Sequence, residues 1–297
     1  MNSKVYFTRE ITPEKVVELY HALGVQLPGK VAVKVHSGEK GNQNFLRPEF
    51  WRPMVEEVHG TVVECNTAYG DATAGVRDHT EAHRKLLEEH GWTKYFDVDL
   101  MDADGPDVVW PIPNGKILKE NHLGKNIMNY DSMLVLAHFK GHPMGGYGGA
   151  LKQLAIGCAS ARGKALIHSA GKTDDRFKTW QQHASPVVFP EAMADAASSV
   201  VEHFQGKIAF INVMKNLSVD CDCCAVAEDP CMKDIGILAS LDPVAVDQAC
   251  IDLIYAATDD PGQKHFIERV ESLHGIHTIE CAAALGVGSR EYELVEL

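Results

Sequence analysis

Four cysteines fall close together at Cys221, Cys223, Cys224 and Cys231, with Asp220 and Asp222 among them. Thiolates this crowded, interleaved with carboxylates, suit a metal ion or an iron-sulfur cluster better than a packed core. Cys-x-Cys-Cys followed after six residues by Cys is neither the paired Cys-x-x-Cys of zinc ribbons nor the cysteine run of ferredoxins. The spacing therefore points to a centre without naming its metal, and a redox thiol pair or a structural loop are the rival readings. Adjacent Cys223 and Cys224 do not comfortably share one ion. Cys221, Cys223 and Cys231 are the preferred ligands, with Cys158 or His142 as the donor from elsewhere.

A second group of reactive side chains lies in His138-Phe139-Lys140-Gly141-His142. In an extended chain the period of two puts His138, Lys140 and His142 on one face. A lone histidine is usually a satisfied polar group, but two flanking a lysine suit ligation or acid-base work. Gly145-Gly146-Tyr147-Gly148-Gly149 then leads into an apolar helix, and such a stretch exposes backbone N–H groups to an anion. It matches neither the Walker loop nor the dinucleotide fingerprint. Gly146, Gly148 and Gly149 are candidate anion contacts, with Lys152, Arg162 and Lys164 as charge partners; a turn that packs closely is the plainer alternative. Cys158 follows that helix and lies near the basic residues, which would stabilise a thiolate. Cys65, Cys250 and Cys281 read as small core residues.

Short valine-, leucine- and isoleucine-rich runs at 31–35, 61–65, 132–138 and 207–213 are expected to be buried strands. Segments 13–23, 48–58, 79–90, 150–159 and 190–204 carry helical spacing, several opening on proline. The expectation is an α/β fold, a mainly parallel sheet flanked by helices, with an irregular or hairpin-rich excursion around 102–130 that forms a lid or a small subdomain. Residues 1–297 read as one α/β domain or as two intimately joined lobes. Asp242 before Pro243 is expected to cap a helix. Ligands in open α/β sheets bind beyond the carboxyl ends of strands. Here those ends run into His36-Ser37-Gly38-Glu39, into Asn66-Thr67, into His138 and towards the cysteine cluster, so one polar cleft is predicted, with His36 or His138 as acid or base and Lys140 as an anion contact.

A chain of 297 residues, 45% hydrophobic, is long enough for a large core. Its 41 acidic and 28 basic residues disfavour nucleic acid or an anionic membrane as the main partner. No apolar run approaches the roughly 20 residues needed to cross a bilayer. The first residues hold no secretory signal, and eight cysteines in a leaderless chain imply free thiols or ligands in a reducing cytoplasm. The expected partner is a small anionic molecule or a redox protein, and a homo-oligomer is left open.

Taken together, Val33 to Asn42, His138 to Lys152, Gly157 to Ser160, Asp220 to Cys223 and Asp234 to Ala249 resemble the DUF362 family, whose members are often described as uncharacterised iron-sulfur centre proteins. The resemblance covers most of the chain, and it brings no established activity. Longer members carry an inserted ferredoxin-type segment. This chain has no cysteine between Cys158 and Cys221, so any centre must use the cysteines of the core domain. The resulting expectation is a metal-binding or iron-sulfur protein, with an oxidoreductase acting on a small anion favoured. A metal-assisted hydrolase or transferase using the histidines, or a noncatalytic donor of metal or electrons, are the alternatives.

Overall fold

The computed structural model describes residues 2–69 and 75–297. It contains β1 (Ser3–Thr8), α1 (Pro13–Ala22), β2 (Val31–Lys34), α2 (Pro48–Glu57), β3 (Thr61–Glu64), α3 (Thr80–Glu89) and β4 (Val98–Leu100). There follow a hairpin of β5 (Val108–Pro111) and β6 (Glu120–Leu123), then β7 (Ser132–His138) and the short pair β8 (Lys140–His142) and β9 (Gly146–Gly148). Helices α4 (Ala150–Lys152), α5 (Ala161–His168) and α6 (Val188–His203) lead to β10 (Ile208–Met214) and β11 (Gly236–Ser240). The last elements are α7 (Pro243–Ala256), α8 (Gln263–Ser272), α9 (Ile276–Ala284) and β12 (Tyr292–Glu296).

Both β7 and β10 are buried at every position, so they need cover on both faces. Their side chains divide with the period of two. Met133, Val135 and Phe210 enter one core with Leu151, Ala196 and Val246, whereas Leu134, Leu136 and Ile211 enter the other with Leu19, Trp51 and Met54. The sheet order is β12-β1-β11-β10-β7-β2-β3-β4. β11 is antiparallel to both its neighbours, and every other pairing in this sheet is parallel. The protein thus has the expected α/β fold, a mainly parallel sheet flanked by helices. Asp242 caps α7 as its position before Pro243 implies, accepting from Val244 N and Ala245 N at 2.9 and 3.0 Å.

The excursion around 102–130 holds the β5–β6 hairpin. It is pinned to α6, where Asp195 accepts from the backbone N–H groups of Lys116, Ile117 and Leu118 at 2.6 to 2.8 Å. From β2 the chain builds outward through β3 and β4, then returns to the other side of β2 as β7. Strand order therefore reverses between β2 and β7, which opens a crevice at their carboxyl ends. Among the described residues no helix is long and apolar enough to cross a membrane.

Candidate functional site

The cysteine segment joins β10 to β11 without regular structure, so its carbonyl groups need partners from outside. Asn42 Nδ2 donates to the carbonyls of Cys221 and Cys224 at 3.3 and 2.9 Å. Gln43 and Asn44 donate to those of Ala227 and Glu228 at 2.9 and 2.7 Å, and the Tyr69 hydroxyl donates to that of Cys223 at 2.8 Å. Cys224 N–H closes a turn on the carbonyl of Cys221 at 2.9 Å. Below the turn, buried Asp222 meets His138 Nδ1 at 2.9 Å and Lys140 Nζ at 2.8 Å. Burial raises the pKa of Asp222, but His138 and Lys140 outweigh it and hold the carboxyl well below its usual range. The loop is thereby fixed from both sides.

Its sulfurs reach His142 at the end of β8. One ligand atom each of His142, Cys221 and Cys223 lies within 4.8 Å of the others, close enough to hold a metal ion. His142 Nε2 is 3.9 Å from Cys223 Sγ. On the other side of the ring, Nδ1 accepts from Met144 N and Gly145 N at 3.2 and 2.9 Å. Burial, and after it Lys152, push His142 well below its ordinary pKa, so the ring is neutral. With Nδ1 accepting, the single ring proton sits on Nε2 and points towards sulfur. In this arrangement His142 is a hydrogen donor to Cys223; ligation through Nε2 requires that proton to move to Nδ1, in place of the two backbone contacts there.

Lys152 Nζ stands 3.4 Å from Cys221 Sγ. Burial lowers its pKa, but Cys221, Cys223 and Asp222 outweigh burial and the net shift is upward. Burial pushes the Cys221 thiol well above its ordinary value. At Cys223 contact with Cys221 acts downward, while contact with Cys224 and burial act upward and bring the thiol to about 11. Without metal these are thiols beside an ammonium. A bound cation would displace the protons, and Lys152 would help to hold the thiolate charge.

Beside the sulfurs lies a cavity with about 70 Å³ for the centres of water-sized groups, room for several waters or a small polar ligand. Among the described residues its walls carry Lys34, Arg77, Lys152 and Lys164 against one carboxylate, Glu64. Lys34 pairs with Glu64 at 2.6 Å and Arg77 with Glu39 at 3.1 Å. Burial raises the pKa of Glu64, but Lys34 and Arg77 overcome it and bring the group to about 2. Lys164 donates to the carbonyl of Ala159 at 2.6 Å, and burial lowers its pKa. Two further wall groups, Thr67 Oγ1 and Gln153 Nε2, are buried with no hydrogen-bond partner. An acceptor-rich anion would satisfy such walls.

The model of the family described as "Domain of unknown function (DUF362)" matches residues 31–252. The chain belongs to the DUF362 family. No curated protein matches it. Among solved structures, this DUF362 chain is similar to the lactate racemase apoprotein from Thermoanaerobacterium thermosaccharolyticum, at 13% identity and a TM-score of 0.39 over 70% of this chain and 50% of that one. It is also similar to a Thermotoga maritima protein from a structural genomics programme, at 12% identity and a TM-score of 0.41, over 92% of this chain and 59% of that one. The chain thus spans little more than half the length of these two proteins.

The DUF362 chain gathers some of its sequence-predicted residues at this cleft and places others apart. His36, His142, Lys152 and Cys223 line the cavity, with Cys221 beside them. Burial, then Arg77 and the neighbouring lysines, drive His36 well below its ordinary pKa. His138 meets acceptors at both nitrogens, Asp222 and, at 2.5 Å, the carbonyl of Lys215, so with Lys140 it braces the loop. Cys231 lies apart from the trio and contacts the carbonyl of Leu217 through Sγ at 3.4 Å. Cys158 is fully buried outside the trio, its thiol pushed up to about 11 by burial. Arg162 is exposed and paired with Asp174.

At the glycine stretch, the N–H groups of Ala150 and Leu151 point at Asp247, with distances of 2.8 and 3.0 Å. An internal carboxylate thus occupies the head of α4. Gly149 makes room for it, since a Cβ there would lie 2.4 Å from Asp247 Oδ1. The helix then continues as a π-turn at Gln153–Gly157, which carries Gln153, Ile156 and Gly157 into the cavity wall. Sequence reasoning missed Lys34, Glu64, Arg77 and Gln153, although it placed Thr67 at a strand end on the cleft. The available signal was a charged residue interrupting each of two buried runs, Lys34 in VAVKV and Glu64 in TVVEC.

Proposed function

We propose that this chain binds a metal ion through Cys221 and Cys223 at the mouth of a cationic cavity and acts there on a small carboxylate or phosphate ester. The supporting observation is the juxtaposition of two thiol sulfurs with a cavity whose described walls carry four basic side chains and one carboxylate. Two cysteines leave coordination positions for other donors, as a catalytic centre requires. Sulfur donors suit zinc, copper and iron-sulfur centres, and an oxidoreductase is the enzyme class we favour. A reducing cytoplasm is the compartment that fits eight free thiols.

The deciding experiment is elemental analysis with an absorption spectrum on protein purified without oxygen, before and after reduction. One near-stoichiometric equivalent of metal that is lost in Cys221→Ser and Cys223→Ser supports the proposal. A metal content that those two substitutions leave unchanged, or protein holding none of iron, zinc, nickel or copper, overturns it. One observation favours a second reading: neutral His36 lines the cavity, with Nδ1 accepting from Gly38 N at 3.1 Å, and suits metal-free acid-base chemistry. In that case turnover survives both serine substitutions and falls in His36→Gln.

A further inference from the structure

Away from the cleft, His277 and Cys281 sit four residues apart on α9 and so share one face of that helix. Glu191, in the first turn of α6, meets them across the helix pair. His277 Nε2 lies 3.2 Å from Glu191 Oε1 and 3.5 Å from Cys281 Sγ, and one ligand atom from each residue falls within 4.8 Å of the others. With zinc–sulfur bonds of about 2.3 Å and zinc–nitrogen or zinc–oxygen bonds of about 2.0 to 2.1 Å, tetrahedral edges are about 3.6 Å for sulfur to nitrogen and about 3.3 Å for nitrogen to oxygen. Both contacts to His277 fit those lengths.

The orientation of the ring fits as well. His277 Nδ1 lies 3.2 Å from Glu280 Oε2, and Arg290 lies 3.3 Å from the other oxygen of that carboxylate. A carboxylate that accepts a hydrogen bond from Nδ1–H leaves the Nε2 lone pair free for a cation and is the usual outer partner of a metal-bound histidine. Cys281 is partly buried, packed against the core on one side and open to His277 on the other. The neighbour that competes is Lys116, whose ammonium reaches Glu191 Oε1 but whose side chain is 63% exposed and free to withdraw.

We propose that Glu191, His277 and Cys281 form a second metal site, for zinc, that clasps α9 to α6 and leaves the fourth position to water. This inference does not rest on the function proposed for the cleft. The test is titration with cobalt(II) as a spectroscopic stand-in for zinc, on the unmodified chain and on one carrying Cys221→Ser and Cys223→Ser. In the serine background the site predicts one equivalent with a thiolate-to-cobalt absorption band. The band disappears in Cys281→Ser and in His277→Gln, Glu280→Gln weakens binding about tenfold or more, and Lys116→Met tightens it. If the serine background misfolds, the unmodified chain still decides, because Cys281→Ser must then remove one equivalent. Absence of a thiolate band, or a band that Cys281→Ser and His277→Gln leave intact, overturns the proposal.

Discussion

His142 and His277 each approach a cysteine sulfur through Nε2, at 3.9 and 3.5 Å, but their other nitrogens meet opposite partners. Two backbone N–H groups donate to His142 Nδ1, whereas the carboxylate of Glu280 faces His277 Nδ1. The first ring is left with its proton directed at sulfur, and the second with a lone pair for a cation. Surroundings differ in the same sense. In the cleft group His142 and Cys221 are buried and Cys223 is partly so, beside Lys152, while the α6–α9 group joins buried Glu191 to partly buried His277 and Cys281, beside Glu280 and the exposed Lys116. Similar residues in the two clusters therefore offer a ligand different ring atoms, and the partner of Nδ1 decides which.

The largest effect is expected at the brace beneath the cleft. Asp222→Ala strands His138 and Lys140 in the interior and should cost about 3 to 5 kcal/mol in urea unfolding. Glu280→Gln, its counterpart near α9, should stay within about 0.5 kcal/mol in metal-free protein. Equal costs would break the contrast.

Acid sharpens it next. Burial holds His83 at about 3 and His168 at about 4. Below the ordinary histidine value of about 6.5 the unfolded chain takes up protons that these folded residues refuse. Stability is therefore fully present above about pH 6.5 and falls towards pH 4, by up to about 1.4 kcal/mol per pH unit for each such histidine. Urea midpoints across that range check the slope, and a flat profile would mean that the cleft side is wetter than described.

Anion binding discriminates further. Lys152→Met or Lys164→Met should weaken binding of inorganic phosphate about tenfold or more, as loss of a charged hydrogen-bond partner worth about 1.5 to 3 kcal/mol implies. Lys116→Met should leave it unchanged by calorimetry. The smallest effect is expected at Arg162→Ala: the side chain is exposed, and both phosphate affinity and stability, the latter within about 0.5 kcal/mol, should hold.

Much of the scaffold is legible in the chain because its signals are local. Proline and Asp242 mark helix starts, and valine-rich runs such as 132–138 mark strands buried on both faces. Polar strand ends locate the cleft for the same reason. Partners set by long-range pairing are not legible. Lys34 meets Glu64 only because β2 and β3 pair in parallel register, and Asp247 reaches the head of α4 from almost a hundred residues away. Cys281 resembles a core cysteine in sequence because its helix is apolar, and its neighbour Glu191 arrives from another helix.

The place of β1 sets the order of assembly. This strand lies between β11 and β12, so it is the earliest strand in the chain and pairs only with the two latest. On a ribosome, its backbone groups wait until β11 and β12 have emerged. The strands of the cleft, β2, β3 and β7, emerge well before then and can dock on one another first. Pairing of the cleft strands can thus run ahead of closure at the far edge, which is the last part of the sheet to find its partners.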